Sequence, residues 1–233
     1  MKQLILELEA PPAPTLANFA VGPNHELRHV LQQFNDATSS EHFLYLWGAT
    51  ATGKSHLLQA LAGRANTRYI AAASAQAHHL LYDPSILLYL LDDCECLNPE
   101  RQIDAFALFN QIRENNGFLI SSAKMPPANL PVREDLRTRM GWGLIYQLHA
   151  LTDADKIHAL QQTAVTRGWN LSPLVLPWLI IHYQRDMRSL TAVLDALNHY
   201  SIQTHRHMTL PLLRQLLPEL TRADAPPNFA PEF

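Results

Sequence analysis

One eight-residue segment of this sequence carries the pattern of a phosphate-binding loop. Residues 48–55 read G-A-T-A-T-G-K-S, which satisfies the pattern G-x-x-x-x-G-K-[ST] in full. An apolar run at residues 43–47 precedes the segment and a helical pattern follows it, which is the setting that this motif requires. Small residues let successive backbone N–H groups surround phosphate oxygens, and the N-terminus of the following helix adds positive potential. The segment therefore predicts a nucleotide phosphate site.

Two side chains of this loop have specific expected roles. Lys54 supplies a cation for the β- and γ-phosphates, and the Ser55 hydroxyl is a ligand for Mg²⁺. The chain contains only four lysines, so a lysine at this position does not reflect a general enrichment. The residues of the loop expected to bind nucleotide are Gly48, Ala49, Thr50, Ala51, Thr52, Gly53, Lys54 and Ser55.

A pair of acids completes the expected phosphate chemistry. Asp92 and Asp93 directly follow the apolar run Ile86 to Leu91, which reads as a buried strand. Ligands of open α/β sheets bind at the carboxyl ends of the strands. We therefore expect Asp92 to act on Mg²⁺ through its water shell and Asp93 to orient the attacking water. The alternative is a pair of acids in an exposed loop.

The elements that position these residues alternate between strands and helices. The short apolar runs that read as strands lie at residues 43–47, 68–72, 86–91, 118–122 and 144–148. Such runs are typical of strands that are covered on both faces. The clearest intervening helix runs from Glu100 to Asn115, with Ile103, Phe106, Ala107 and Asn110 on its expected apolar stripe. This alternation predicts an α/β fold with a parallel five-stranded sheet flanked by helices.

The strand patterns stop near Leu151, and a small all-helical part follows. Thr152 begins a capping-box pattern, Pro173 is expected at the first position of a second helix, and Asp186 is expected to cap a third. The sequence divides into residues 1–14 with a proline-rich spacer, residues 15–150, residues 151–220 and a tail of residues 221–233.

Composition and charge exclude several classes of protein. Hydrophobic residues make up 47% and charged residues 17%, with a net charge of −3, which is typical of a globular chain and not of a strongly basic DNA-binding domain. No apolar run approaches the length of a membrane span, and the N-terminus has no apolar signal core. Cys94 and Cys96 are too close together for an unstrained disulfide. We expect a cytoplasmic protein.

Four further segments carry a resemblance to the AAA+ domain of the DnaA family, and most closely to its shorter regulatory members. The resemblance extends from Thr15 to Leu217. The segments that carry it are residues 15–22, 53–58, 139–144 (R-M-G-W-G-L) and 185–190 (R-D-M-R-S-L). It implies a P-loop AAA+ module followed by a helical lid, with ADP or ATP and Mg²⁺ as cofactors.

The resemblance also implies roles for residues outside the loop motif. Val21 lies in the segment that passes the adenine, and His56 continues the phosphate loop as in the family. Arg139 corresponds to an arginine finger, which enters the nucleotide site of a neighbouring subunit. Arg188 corresponds to the sensor-2 arginine. From the residues alone, Arg139 reads as a solvated cation at a helix end and Arg188 as a surface arginine.

Two kinds of departure separate this chain from the family's origin-binding initiator, one at the catalytic residues and one at the parts that contact DNA. Ala123 stands where the initiator has an aspartate, and Asp93 stands where vigorous AAA+ ATPases have a glutamate, so we expect slow intrinsic turnover. Only residues 73–85 join the expected second and third strands, which leaves room for one short helix, and we expect no helix-turn-helix after the lid. Direct sequence-specific DNA binding is therefore not expected.

The N-terminal peptide resembles a sliding-clamp-binding motif. Residues 3–8 read Q-L-I-L-E-L, which is similar to the form Q-L-x-L-x-L. The resemblance implies polar contacts from Gln3 and apolar pocket contacts from Leu4, Leu6 and Leu8, with residues 1–14 acting as clamp-binding peptide and spacer. Periodicity alone indicates that the peptide is an edge strand or a frayed terminus.

These resemblances imply a negative regulator of DNA replication initiation. Its partners would be DnaA, whose bound ATP it would cause to be hydrolysed, and the DNA polymerase III β sliding clamp; a homo-oligomer is also compatible with the sequence. No membrane partner is expected. The alternatives are a self-hydrolysing loader or remodelling ATPase of the AAA+ class, and a pure adaptor in which the nucleotide is structural.

Overall fold

The computed structural model describes residues 13–183 and 186–223. The chain divides into two compact units, and the division falls between Leu151 and Thr152. The clamp-peptide residues Gln3, Leu4, Leu6 and Leu8 lie outside the described residues, as does most of the expected tail. None of the helices in the described ranges is long and apolar enough to cross a membrane.

A parallel five-stranded sheet forms the centre of the first unit. The strands are β1 (Phe43–Trp47), β2 (Thr67–Ala71), β3 (Leu88–Asp92), β4 (Phe118–Ala123) and β5 (Leu144–Gln147). Their order across the sheet is β2-β3-β4-β1-β5, and every neighbouring pair is parallel. The predicted α/β class is confirmed, and the ends of the strands differ from the predicted ones by at most two residues.

Helices cover both faces of this sheet. They are α1 (His25–Asn35), α2 (Lys54–Leu61), α3 (Pro99–Glu114) and α4 (Glu134–Met140). Alternate residues of β1 face opposite ways: Tyr45 packs in the cluster that contains Phe109 of α3, and Leu46 packs in the cluster that contains Leu58 of α2. Because both faces are covered at the centre of the sheet, β1, β3 and β4 are buried along almost their whole length, whereas the edge strands β2 and β5 are only partly buried.

The structure corrects two expectations about this unit. The connection between β2 and β3 contains two short 3₁₀ turns, Ala72–Ser74 and Ala77–Leu80, where one short helix was expected. The buried face of α3 is also not the expected stripe, since Ile103 is 52% exposed. Gln102 is buried instead, because its amide donates to the Leu97 carbonyl and accepts from the Arg133 N–H, at 2.9 Å each.

The described residues of the second unit form four helices. They are α5 (Asp153–Thr166), α6 (Val175–His182), α7 (Met187–Thr204) and α8 (Leu210–Ala223). The predicted caps of α5 and α7 are confirmed: the Thr152 hydroxyl accepts from the Asp155 N–H at 3.1 Å, and Asp186 accepts from the Ser189 N–H at 2.9 Å. The prediction that Pro173 begins α6 is wrong, because this helix begins two residues later at Val175.

One glycine of the sheet unit provides a test of this packing. Gly143 has φ +70°, and a Cβ there would lie 2.2 Å from the Phe43 carbonyl oxygen, whereas a Cβ at Gly63 would meet no atom within 4 Å. We expect Gly143→Ala to lower stability by about 3 kcal/mol, because it combines a strained backbone with a backbone clash. For a chain of this size, this corresponds to a melting temperature roughly 6–12 °C lower.

Thermal unfolding followed by circular dichroism measures this shift. The matched variant Gly63→Ala should melt within about 2 °C of the parent protein, because its surface position involves no clash. Equal melting of the two variants would contradict the close approach of Gly143 to β1.

Candidate nucleotide-binding site

The predicted phosphate loop begins at the carboxyl edge of the sheet. Gly48 follows the last residue of β1, and its N–H donates to the Ala123 carbonyl of β4 at 3.2 Å. A Cβ on Gly48 would lie 2.4 Å from the Leu148 carbonyl oxygen, which follows β5. The first residue of the loop therefore lies between the ends of the two strands that flank β1, and only glycine fits there.

The loop then turns into α2 through two left-handed residues. Ala51 has φ +63° and Gly53 has φ +103°, and the Thr52 hydroxyl donates to the Ala49 carbonyl at 2.9 Å. Left-handed residues of this kind turn successive N–H groups toward one side of a loop. Because α2 begins at Lys54, the N–H groups of its first turn also have no partner within the helix. The result is a backbone cradle for an anion.

Lys54 is buried beside this cradle. Its side chain is almost fully enclosed, and its ammonium donates to the carbonyl oxygens of Gly48 at 2.8 Å and of Ala49 at 3.0 Å. Burial lowers the pKa of Lys54, while the negative charges of Asp93, Glu95 and Asp92 act in the opposite direction. The lysine that the motif predicted for phosphate binding therefore lies in the electrostatic field of three carboxylates.

Asp92 is the last residue of β3 and is only 3% exposed. The Tyr69 hydroxyl of β2 donates to one of its carboxylate oxygens at 2.7 Å, and the Ser122 hydroxyl of β4 donates to the other. Ser122 also accepts from the Asp93 N–H at 3.0 Å. Hydroxyls from both neighbouring strands thus fix the orientation of this buried acid, which excludes the alternative of an exposed loop.

Asp93 and Glu95 continue the acidic group beyond β3. Asp93 has φ +55°, and burial raises its pKa, with further increases from the charges of Asp92 and Glu95. The Glu95 side chain is 9% exposed and lies 3.5 Å from the Lys124 ammonium. Sequence reasoning missed Tyr69, Glu95 and Lys124; the signal available for Glu95 was its position two residues after the acidic pair.

The segment before α1 lies against the phosphate loop. A Cβ on Gly53 would lie 2.8 Å from the Phe19 ring, and the centroids of the Phe19 and His56 rings are 5.7 Å apart. The His56 ring nitrogen lies 3.2 Å from the Thr15 carbonyl oxygen, and burial lowers the pKa of this histidine. The Val21 carbonyl accepts from the backbone N–H of Asn24 at 2.9 Å, in the turn that leads into α1.

Arg139 lies at the other end of the sheet from this cradle. Its guanidinium carbon is 4.0 Å from the centroid of the Trp142 ring, and its Nε donates to Asn110 at 3.1 Å. The Trp142 ring packs against Phe43, the first residue of β1, with centroids 6.0 Å apart. The phosphate loop, in contrast, follows the last residue of β1. The structure therefore does not bring Arg139 into the site of its own chain.

Arg188 belongs to the helical unit. It is exposed in the first turn of α7, two residues after the Asp186 cap. Sequence reasoning also missed the neighbours of Arg139. Asn110 was expected to face the core. The guanidinium carbon of Arg113 lies 4.5 Å from the centroid of the Trp142 ring, and no sequence pattern indicated this contact.

The assembled residues fit a nucleotide phosphate group with Mg²⁺. The cradle supplies N–H donors, Lys54 supplies a buried cation, and Ser55 is the next residue in the first turn of α2. Asp92 supplies an oriented carboxylate at the same sheet edge, and oxygen ligands of this kind are those that Mg²⁺ prefers. The expected phosphate and metal residues thus follow the carboxyl ends of β1 and β3, which are separated by β4 at the same edge of the sheet.

Comparisons with known proteins point to one family. Residues 153–217 match the family model of the Hda lid domain. The chain is 34% identical over 232 residues to an uncharacterised protein of Haemophilus influenzae, covering 93% of this chain and 98% of that protein.

Solved structures show the same fold. Domain III of the Thermotoga maritima replication initiation protein DnaA has a TM-score of 0.73 and 19% identity, covering 89% of this chain and 98% of that one. AMPPCP-bound DnaA from Aquifex aeolicus has a TM-score of 0.68 and 23% identity, and the match covers 82% of this chain and 65% of that one. Residues 153–217 therefore belong to the Hda lid-domain family, and the α/β unit that precedes them has the fold of DnaA domain III.

Proposed function

We propose that this chain is an adenine-nucleotide-binding regulator of replication initiation that stimulates hydrolysis of the ATP bound to DnaA. The observation that carries the proposal is the position of Arg139. Its guanidinium stacks on Trp142 at the amino end of β1, whereas the phosphate loop lies beyond the carboxyl end of the same strand. An arginine in that position acts on a nucleotide held by a neighbouring molecule.

The chain's own nucleotide would be held at the phosphate loop. The N–H groups of residues 48–55 would bind phosphate oxygens, with Lys54 as the cation, while Ser55 and Asp92 would hold Mg²⁺. Bound Mg²⁺ neutralises phosphate charge. Segment 15–22, including Val21, would contact the adenine, because it lies against the loop through Phe19 and His56. The relative solved with AMPPCP supports an adenine nucleotide.

Intrinsic turnover is proposed to be slow. Ala123 ends β4 beside the loop, and its methyl group is fully buried and unable to polarise water. Asp93 remains as the carboxylate that would orient a water. Hydrolysis in the partner depends instead on Arg139, since a guanidinium stabilises the charge that develops on a transferred phosphoryl group.

Tethering to the β sliding clamp completes the proposal. It rests on the resemblance of residues 3–8 to the clamp-binding peptide, with Gln3, Leu4, Leu6 and Leu8 as the contact residues. The clamp loaded on DNA would then place Arg139 near DnaA at a raised effective concentration.

Nucleotide binding is tested by Lys54→Met. Removal of the buried cation should weaken ADP binding by about 100-fold, because a charge-assisted contact to phosphate is lost in a desolvated site. The measurement is equilibrium titration with a fluorescent ADP analogue. Lys156→Met is the matched control, because Lys156 pairs with Asp153 in the helical unit, and it should bind as the parent does. Equal affinity of all three proteins would contradict nucleotide binding at this loop.

The regulatory role is tested by Arg139→Ala in a reaction that contains ATP-bound DnaA and DNA-loaded clamp. Stimulated hydrolysis should fall by roughly 10³-fold, because the stabilising guanidinium is lost. Arg137→Ala, two residues earlier on the same helix, should retain the stimulation. Gln3→Ala should lose the part of the stimulation that depends on the clamp.

A different outcome would favour another function. Hydrolysis of free ATP by this chain alone, together with no effect on DnaA in either the parent or Arg139→Ala, would favour the self-hydrolysing loader or remodelling ATPase. If Gln3→Ala loses activity in this reaction and Arg139→Ala does not, the result would favour the pure adaptor.

A further inference from the structure

We infer that residues 224–233 of this chain bind back onto the outer face of α6. This face carries an apolar stripe, which we call the α6 stripe and which consists of Leu174, Pro177, Trp178 and Ile181. The inference concerns the helical unit alone, and it depends on neither nucleotide binding nor a partner protein.

The helix α6 is apolar on opposite sides. Its buried residues are Val175, Leu176, Leu179 and Ile180. On the other side, Leu174 is 66% exposed and Ile181 is 67% exposed. Leu174, Trp178 and Ile181 follow one another at spacings of four and three residues, so their side chains are neighbours along the helix. A helix that is apolar all round is typical of a buried environment, so we expect the α6 stripe to be covered.

A cation borders the α6 stripe at Trp178. The guanidinium carbon of Arg214, an exposed residue of α8, lies 5.4 Å from the centroid of the Trp178 ring. The ring of His182 stacks on the same indole, with centroids 4.3 Å apart. Among the residues that the structure describes, no carboxylate lies within ion-pair distance of Arg214. The surface therefore suits a ligand that combines apolar side chains with negative charge.

The segment that follows α8 has this composition. Residues 224–233 read D-A-P-P-N-F-A-P-E-F. The large apolar side chains are Phe229 and Phe233, and the charged ones are Asp224 and Glu232, with no basic residue among the ten. The segment therefore complements the stripe in both hydrophobicity and charge.

The segment is also long enough to reach the stripe. The helix α8 ends at Ala223, nine residues after Arg214, and this corresponds to a helical rise of about 14 Å. Three prolines oppose continuation of the helix, and an extended proline-rich chain advances about 3.1 Å per residue. A chain that reverses direction after Ala223 returns to the level of Arg214 within about five residues. Phe229, Glu232 and Phe233 are then available to lie beside the stripe.

Cross-linking in the full-length chain tests this contact. The background is Cys96→Ser, because Cys96 is the exposed natural thiol and Cys94 is buried. Ile181→Cys combined with Phe229→Cys should form an intramolecular disulfide under mild oxidation, because such a bond requires Cα atoms roughly 4–7 Å apart. The measurement is peptide mass spectrometry without reduction.

A matched pair of cysteines controls for random collision. Val165 is 80% exposed but lies on α5, outside the α6 stripe. Val165→Cys combined with Phe229→Cys, in the same background, should give at least about 10-fold less of the intramolecular disulfide.

A dye-binding measurement does not depend on which residues of the segment meet the stripe. A chain that ends at Ala223 should bind about threefold more 1-anilinonaphthalene-8-sulfonate than the full chain, because this dye binds exposed apolar surface. In the variant Leu174→Ser, Ile181→Ser, removal of residues 224–233 should leave dye binding unchanged, because the two changes act on one contact.

Three results would overturn the inference. The first is equal cross-linking of Phe229→Cys to the α5 and α6 positions. The second is unchanged dye binding when residues 224–233 are removed. The third is a disulfide-linked dimer in place of the intramolecular bond, which would assign the α6 stripe to an interface between two copies of the chain.

Discussion

The hydrogen bond from the Gly48 N–H to the Ala123 carbonyl fixes the phosphate loop to the sheet. It continues the parallel register in which Trp47 lies opposite Ala123, so the loop begins at the level where β4 ends. The Leu148 carbonyl closes the other side of Gly48, where a Cβ would clash at 2.4 Å. A parallel sheet brings the carboxyl ends of its strands to one edge, and the loop, the acids after β3 and Lys124 meet there for that reason.

The second constraint is the desolvation of charged side chains in the partly buried phosphate site. Burial disfavours the ionised forms of both Lys54 and Asp93, which lowers the pKa of the lysine and raises that of the acid. Their mutual attraction offsets part of this effect. Asp92 is stabilised differently, by hydroxyls from both neighbouring strands. The site therefore contains one acid, Asp92, whose orientation is fixed by neutral donors and another, Asp93, whose ionisation depends on burial and on nearby charges.

Sequence reasoning predicted the features of this molecule that are local. The strands were recognisable because both faces of the sheet are covered, and the phosphate loop because its residues are consecutive. The contacts of Asp92 with Tyr69 and of Arg139 with Asn110 join residues more than twenty positions apart, and no local pattern signals them. The buried face of α3 was mispredicted for a related reason, since Gln102 is polar yet buried through its bonds to Leu97 and Arg133.

The stacking of Arg139 on Trp142 has an energetic consequence. A partly exposed cation–π contact contributes on the order of 1 kcal/mol, and the hydrogen bond to Asn110 contributes about as much. A neighbouring phosphate therefore needs to supply only about 2 kcal/mol to draw the side chain away, which a single charge-assisted hydrogen bond provides. Arg113 would continue to cover the indole after Arg139 had left. Under the proposed function, transfer of the arginine from these contacts to a neighbouring phosphate would therefore be nearly isoenergetic.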